Sequence, residues 1–259
     1  MPKRTHNYDH VELYHYGVKG MKWGVRKTRY RSDYDYDTVI KKGSSIQNIS
    51  AEKERDLTKD YVYTTYTNKD RESYSSFYAD ELKRSGFRTI YKNDLKVVKD
   101  ITIPSQKKAV EIFKETFAKD PDGMARCIAR TKADISFFKK FGKTFNMDVE
   151  SRLYRKYMEA GEDWLNTKGY ETFNSLIIEP KIKKARNAYF DTLLSKGYSG
   201  ILDTNDINNE YRSEAPVIVI DPKNNLKRGS AQKISIKEIN AACRKYEEKY
   251  PETIINLFT

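Results

Sequence analysis

Residues 197–222 read GYSGILDTNDINNEYRSEAPVIVIDP, and their reading decides the fold. A Gly-Tyr-x-Gly turn leads into a short apolar run, Ile201-Leu202, and then into a polar loop rich in Asp and Asn. Glu214 stands directly before Ala215-Pro216-Val217-Ile218-Val219-Ile220, a β-branched run ended by Asp221-Pro222. A run of this kind bounded by turn residues predicts a buried strand. A long polar loop that delivers a carboxylate to the mouth of such a strand is a place where sites form, although a solvated strand-end residue has the same signature.

Working outward, residues 105–196 carry helical periodicity. Val110, Phe113 and Phe117 mark one helix, Cys127, Ile128, Ile135 and Phe138 a second, and Leu153 and Tyr157 a third. Trp164 to Ile178 is less regular, and Ile182, Ala185, Tyr189 and Leu193 form the last helix before Gly197. Upstream, Ile46, Asn48 and Ser50 alternate with Gln47 and Ile49 as a short strand does, and Tyr61–Thr67 is the strongest strand signal. Asp70 is placed to cap a helix on which Tyr74, Phe77, Tyr78 and Leu82 recur, and Tyr91–Ile103 reads as a further strand region closed by Pro104. Downstream come a short strand around Leu226 and Ser235-Ile-Lys-Glu238, a capping box opening a helix to about Lys249. The order strands, helical block, strands, helix predicts an α+β fold with the helices segregated from the sheet.

Composition bounds the chemistry. The chain has 259 residues, 38% hydrophobic and 33% charged, with a net charge of +12. Residues 1–31 hold eight Lys or Arg against Asp9 and Glu12. Residues 1–37 therefore read as a basic, flexible arm and 38–259 as the folded domain, with the helical insertion at about 105–196. A basic arm suits nucleic acid or another acidic partner, and weak, salt-dependent nucleic-acid binding is expected. Cys127 and Cys243 are too few for a disulfide framework or a zinc site. All three histidines lie in the arm at His6, His10 and His15, which excludes Ser-His-Asp and Cys-His machinery and any His-ligated metal from the body. No apolar segment is long enough to span a membrane, and MPKRTHNYDH has no apolar signal region. A protein without a membrane partner is the expectation.

Within the arm, Leu13–Lys27 reads LYHYGVKGMKWGVRK, which closely resembles the HYGVKGMKWGVR tag found near an end of many tailed-phage head-associated proteins. The resemblance implies a virion or prophage origin, phage head proteins as partners, and a location in the virion or the host cytoplasm. Residues 38–104 and 197–228 together resemble the ADP-ribosyltransferase fold, in the versions carried by phage head proteins. In that family a Gly-x-x-Ile-x-Arg-Ile-Ser-like strand binds the dinucleotide, a Thr/Ser-containing strand shapes the nicotinamide pocket, an Asp-x-x-x-Tyr helix start follows, and a glutamate ahead of a late strand is catalytic. The corresponding residues are Gly43–Ser50 with Asn48, Thr64-Thr65-Tyr66, Asp70 with Tyr74, and Glu214.

The resemblance implies an NAD-dependent mono-ADP-ribosyltransferase with Glu214 as the catalytic residue, NAD as substrate, and a host protein as acceptor. Cleaving the bond between nicotinamide and ribose passes through a cation-like sugar, which a fixed carboxylate stabilises and which needs no histidine or metal. Asn48 stands where the family has an arginine, and asparagine supplies neither charge nor a bidentate fork. Lys41, Lys42 and Arg212 are the cations that would have to replace it. The competing reading is a non-enzymatic phage head or host-takeover protein that binds a protein or nucleic-acid partner.

Overall fold

The runs read as strands form a six-stranded sheet in the computed structural model, which describes residues 36–65, 82, 86–140, 147–203 and 216–249. The strands are β2 (Ser45–Ser50), β3 (Tyr61–Thr65), β4 (Ile90–Val97), β6 (Gly200–Leu202), β7 (Pro216–Ile220) and β8 (Leu226–Ile234). They lie in the order β6-β7-β3-β2-β4-β8, every neighbour antiparallel. A two-stranded sheet pairs β1 (Thr38–Ile40) with β5 (Ile101–Ile103), also antiparallel.

The uninterrupted apolar run of β7 follows from burial on both faces. Ile218 and Ile220 join a core with the helices, while Val217 and Val219 join a second core with Ile40, Ile101 and Ile103 of the small sheet. Alternation sorts the other strands the same way: Ile49, Tyr61, Tyr63 and Ile201 face the helices, and Ile46, Val62 and Leu202 face the small sheet. The two sheets approach closely at Gly200. A Cβ there would stand 2.9 Å from Ile101 Cγ2 and 3.1 Å from Ile103 Cγ1, so only glycine fits.

The helices are α1 (Gln106–Lys119), α2 (Pro121–Lys140), α3 (Met147–Glu159), α4 (Gly161–Trp164), α5 (Tyr170–Asn174) and α6 (Lys183–Ser195). Ser105 caps α1 by accepting from Lys108 N at 3.3 Å, and Asp120 caps α2 by accepting from Gly123 N at 3.0 Å. Phe113 of α1 is fully buried, stacked on Phe173 at 4.9 Å and ringed by Phe117, Tyr170 and Tyr189, so these aromatic residues of α1, α5 and α6 are core. The irregular fourth segment contains a π-turn, Leu165–Gly169, between α4 and α5. Tyr157 OH donates to Gly169 O at 2.6 Å, and Trp164 packs where a Cβ at 169 would sit. Two further helices follow β7: the single turn α7 (Pro222–Asn225) and, after β8, the 14-residue α8 (Ile236–Lys249). The capping box forms as expected, with Ser235 N donating to Glu238 Oε2 at 2.8 Å and Glu238 N to Ser235 Oγ at 3.2 Å.

The architecture is therefore α+β, with the helices between β5 and β6 covering one face of the sheet. Two strand readings change. Tyr91–Ile103 is two strands in different sheets, because Val98 N turns away to Asn225 O and Asp100 accepts from Lys42 N. The strand at Leu226 is nine residues long and exposed between its first residue and its last, Ile234, which removed the apolar signal. Asp37 already belongs to the folded body, accepting from Ser105 N at 2.8 Å and Tyr198 OH at 2.7 Å. Among the described residues no helix is long and apolar enough to cross a membrane.

Candidate functional site

The face of the large sheet that meets β1 and β5 is mostly apolar, and one row across three strands is polar. Asn48 of β2 is directly opposite Asn93 of β4, and the Gln47–Thr65 register sets it opposite Thr64 of β3, which in turn faces Val217 of β7. All three polar side chains are buried, as is Ser50 two residues along β2. Most of their atoms are engaged. Thr64 Oγ1 donates to Val217 O at 3.0 Å, and Asn93 Nδ2 donates to Ser50 Oγ at 3.1 Å and to Glu52 O at 3.2 Å. Asn48 Nδ2 donates to Tyr63 O at 2.8 Å, a side chain contributing to the join between β2 and β3 beside the Gln47–Thr65 pair. Asn48 Oδ1 is the exception. It is buried and meets no donor among the described residues, which is a costly state for an amide oxygen.

Of the residues singled out in the sequence, Asn48 and Thr64 thus share one face and one row. Thr65 extends the row's strand, its backbone in register with Gln47 and Pro216. Tyr66, Asp70, Tyr74, Arg212 and Glu214 lie outside the described residues. Pro216, two residues after Glu214, begins β7 at the position opposite Thr65. Lys41 and Lys42 sit in the turn before β2, at the end remote from Asn48, and Lys41 pairs with Asp100 at 3.0 Å.

Sequence reading missed a second polar cluster on the helical face. Tyr63 OH donates to Asp203 Oδ2 at 3.3 Å, and both residues are buried. Asn174 Nδ2 reaches Leu202 O at 3.4 Å, and Tyr189 OH donates to Ala109 O at 3.1 Å. Burial pushes the Tyr170 hydroxyl up to about 12, with the Asp203 charge adding to the effect. Asp203 is the last described residue before the polar loop that ends at Glu214. Its signal in the sequence was a carboxylate immediately after the apolar pair Ile201-Leu202, a position whose alternation points it at the core.

Amides and hydroxyls such as those of the Asn48 row hold a ligand by hydrogen bonds. Proton chemistry at this end of the sheet would fall to carboxylates. Among the described residues no three histidine, cysteine or carboxylate side chains stand together as a metal site requires. A shallow pocket between α1, α2 and α6 is lined by Thr116, Asp120, Met124, Lys184 and Ala188, but its polar groups are already engaged, Asp120 by the α2 cap and by Lys184 at 3.2 Å.

Comparison with known proteins adds one match. The sequence model of DUF7211, a family of unknown function, matches residues 10–30, the stretch that contains HYGVKGMKWGVR. No curated protein and no solved structure matches the chain.

Proposed function

We propose that the protein is a tailed-phage head-associated protein whose body is an ADP-ribosyltransferase-like domain acting on NAD. The observation that carries the reading is the Asn48–Thr64 row. Two residues that the resemblance assigns to the dinucleotide stand opposite each other, one of them with an unanswered acceptor, and the strand that Glu214 precedes pairs alongside. In this reading Asn48 accepts a hydrogen bond from NAD, Thr64 and Thr65 shape the nicotinamide pocket, and Tyr66 or Tyr74 supplies a stacking face. Asp70 and Tyr74 are the residues that the resemblance gives to the helix start after the Thr64–Tyr66 strand. Glu214 binds a ribose hydroxyl and stabilises the cation-like sugar as nicotinamide leaves. The acceptor is a host protein, and the tag at Leu13–Lys27 recruits the enzyme to the head.

The test is isotope-labelled NAD with host extract, comparing wild type and Glu214→Gln. Removing the charge while keeping the shape costs about 3–4 kcal/mol, roughly a hundred- to a thousandfold in rate. Nicotinamide release is therefore lost while NAD affinity is largely kept. Wild type that neither binds NAD nor labels any protein ends the enzyme reading.

A second reading, a partner-binding domain on the same fold without activity, is favoured by a specific observation. Asn48 is 3% exposed and its amide nitrogen is committed to Tyr63 O, which is the posture of a structural residue. The same labelling experiment separates the two.

A further inference from the structure

Three turns meet at the end of the large sheet where β2 begins and β4 ends. Gly43 N donates to Val97 O at 2.8 Å, and Val98 N donates to Asn225 O at 2.9 Å, so residues 41–44, 98–100 and 221–225 lie side by side. Lys41, Lys42, Lys96, Lys99, Lys223 and Lys227 stand on or beside these turns, all of them exposed. Two carboxylates share the segment, and both are engaged. Asp100 accepts from Lys41 Nζ and Lys42 N, and Asp221 accepts from Asn224 Nδ2 at 2.8 Å. Lys96, Lys99, Lys223 and Lys227 make no ion pair among the described residues.

The arrangement opposes the rule that governs sheets. Lys96 of β4 and Lys227 of β8 are directly opposite each other, a placement in which like charges destabilise the pair. A feature that weakens the fold and gathers one sign of charge needs a counter-charge from outside. We infer that this end of the sheet docks the phosphate backbone of a nucleic acid.

Lysine suits that partner, being a compact point charge without the guanidinium fork that reads base edges. Neighbouring strands are about 4.8 Å apart, so β2, β4 and β8 span about 10 Å. Three or four consecutive phosphates of one strand cover about the same distance along a duplex axis. A protein partner fits less well. Protein interfaces are depleted in lysine and enriched in aromatic residues, methionine and arginine. Among the described residues the exposed large apolar side chains, Tyr36, Val39, Met158, Leu194 and Ile236, all lie outside these turns. The surface is independent of NAD and of the charge carried by residues 1–31.

The experiment uses the full chain and a short labelled DNA duplex of mixed sequence, with anisotropy followed between about 0.05 and 0.2 M salt. Each phosphate neutralised contributes about 0.9 to the slope of log affinity against log salt. Lys96→Gln with Lys227→Gln is expected to reduce the slope by about 1.8 and weaken binding on the order of fiftyfold at 0.1 M salt. Lys107→Gln with Lys156→Gln removes the same charge from exposed positions on α1 and α3 and is expected to leave the slope in place. The Lys96/Lys227 variant should melt no lower than wild type, since it relieves a like-charge pair, and this separates lost binding from lost fold. Equal losses in the two double variants would reduce the effect to net charge and overturn the proposal. So would unchanged binding in the Lys96/Lys227 variant, which would leave the arm as the contact. Displacement of the duplex by polyglutamate at lower charge concentration than by unlabelled DNA would overturn it in favour of an acidic protein.

Discussion

Asn48→Arg restores the residue that the ADP-ribosyltransferase resemblance calls for, and the structure sets what that should cost. The asparagine is 3% exposed, on a face shared with Ile46 and Val62, and its amide nitrogen bonds Tyr63 O at 2.8 Å. An arginine forfeits that hydrogen bond, worth about 1 kcal/mol, and a buried guanidinium without a carboxylate costs several more. The sum is about 4–6 kcal/mol, which in a domain of this size lowers Tm by roughly 10–20 °C. Asn48→Ala is the control. It loses the same bond but also removes the unanswered Oδ1, so a loss of only about 1–2 kcal/mol is expected. Thermal melts with and without NAD decide the matter. Asn48→Arg melting within about 3 °C of wild type would refute the reasoning, because it would mean that the guanidinium reaches solvent through an opening beside the row. If NAD then raised the Tm of the variant above that of wild type, the opening would be a dinucleotide site.

Two further outcomes follow from the core. Arg186 is 4% exposed, donates to Ile177 O at 3.1 Å and Glu179 O at 3.3 Å, and lies 4.7 Å over the Tyr61 ring, so Arg186→Met strands two carbonyls and should cost about 3–5 kcal/mol in a denaturant titration. A loss under about 1 kcal/mol would show that the turn before α6 holds itself. Burial pushes the hydroxyls of Tyr157 and Tyr189 well above the usual value and that of Tyr170 up to about 12. Because these folded-state values are raised, the stability they confer is complete below about pH 10, where the unfolded tyrosines begin to ionise, and is lost as pH rises toward 12. Tm should therefore hold to about pH 10 and then fall, with phenolate absorbance rising in step with unfolding. Ionisation of all the tyrosines near pH 10 with Tm unchanged would refute it.

Where burial was one-sided or complete, the fold was legible in the sequence. The run Val217–Ile220 declared a strand because both its faces are covered, and Ser235 and Glu238 declared a helix start because a capping box is a local event. The split of Tyr91–Ile103 was not legible, because the turn that divides it is fixed by Asn225 and Lys42, far away in the chain. Nor was β8, which pairs with β4 along its length while its side chains between Leu226 and Ile234 stay exposed and carry no apolar alternation. Of the small sheet, β5 lay inside the Tyr91–Ile103 reading, while β1 was missed because a three-residue strand carries too little periodicity to register.

The candidate site was half legible, for a physical reason that bears on its role. Asn48, Ser50 and Thr64 drew notice through a resemblance, while Asn93, buried beside them, carried no signal of its own. A sheet face that packs against another sheet has no need of four buried polar side chains, since apolar residues of similar size fill such a space without desolvation cost. Three of the four answer one another or the backbone, and a network that closes in this way fixes register between strands. Asn48 does not close. Its nitrogen ties β2 to β3 beside the Gln47–Thr65 pair, and its oxygen meets no donor among the described residues. Local preference and global fold disagree at that atom alone in the row, and sites of function are where such disagreements are retained.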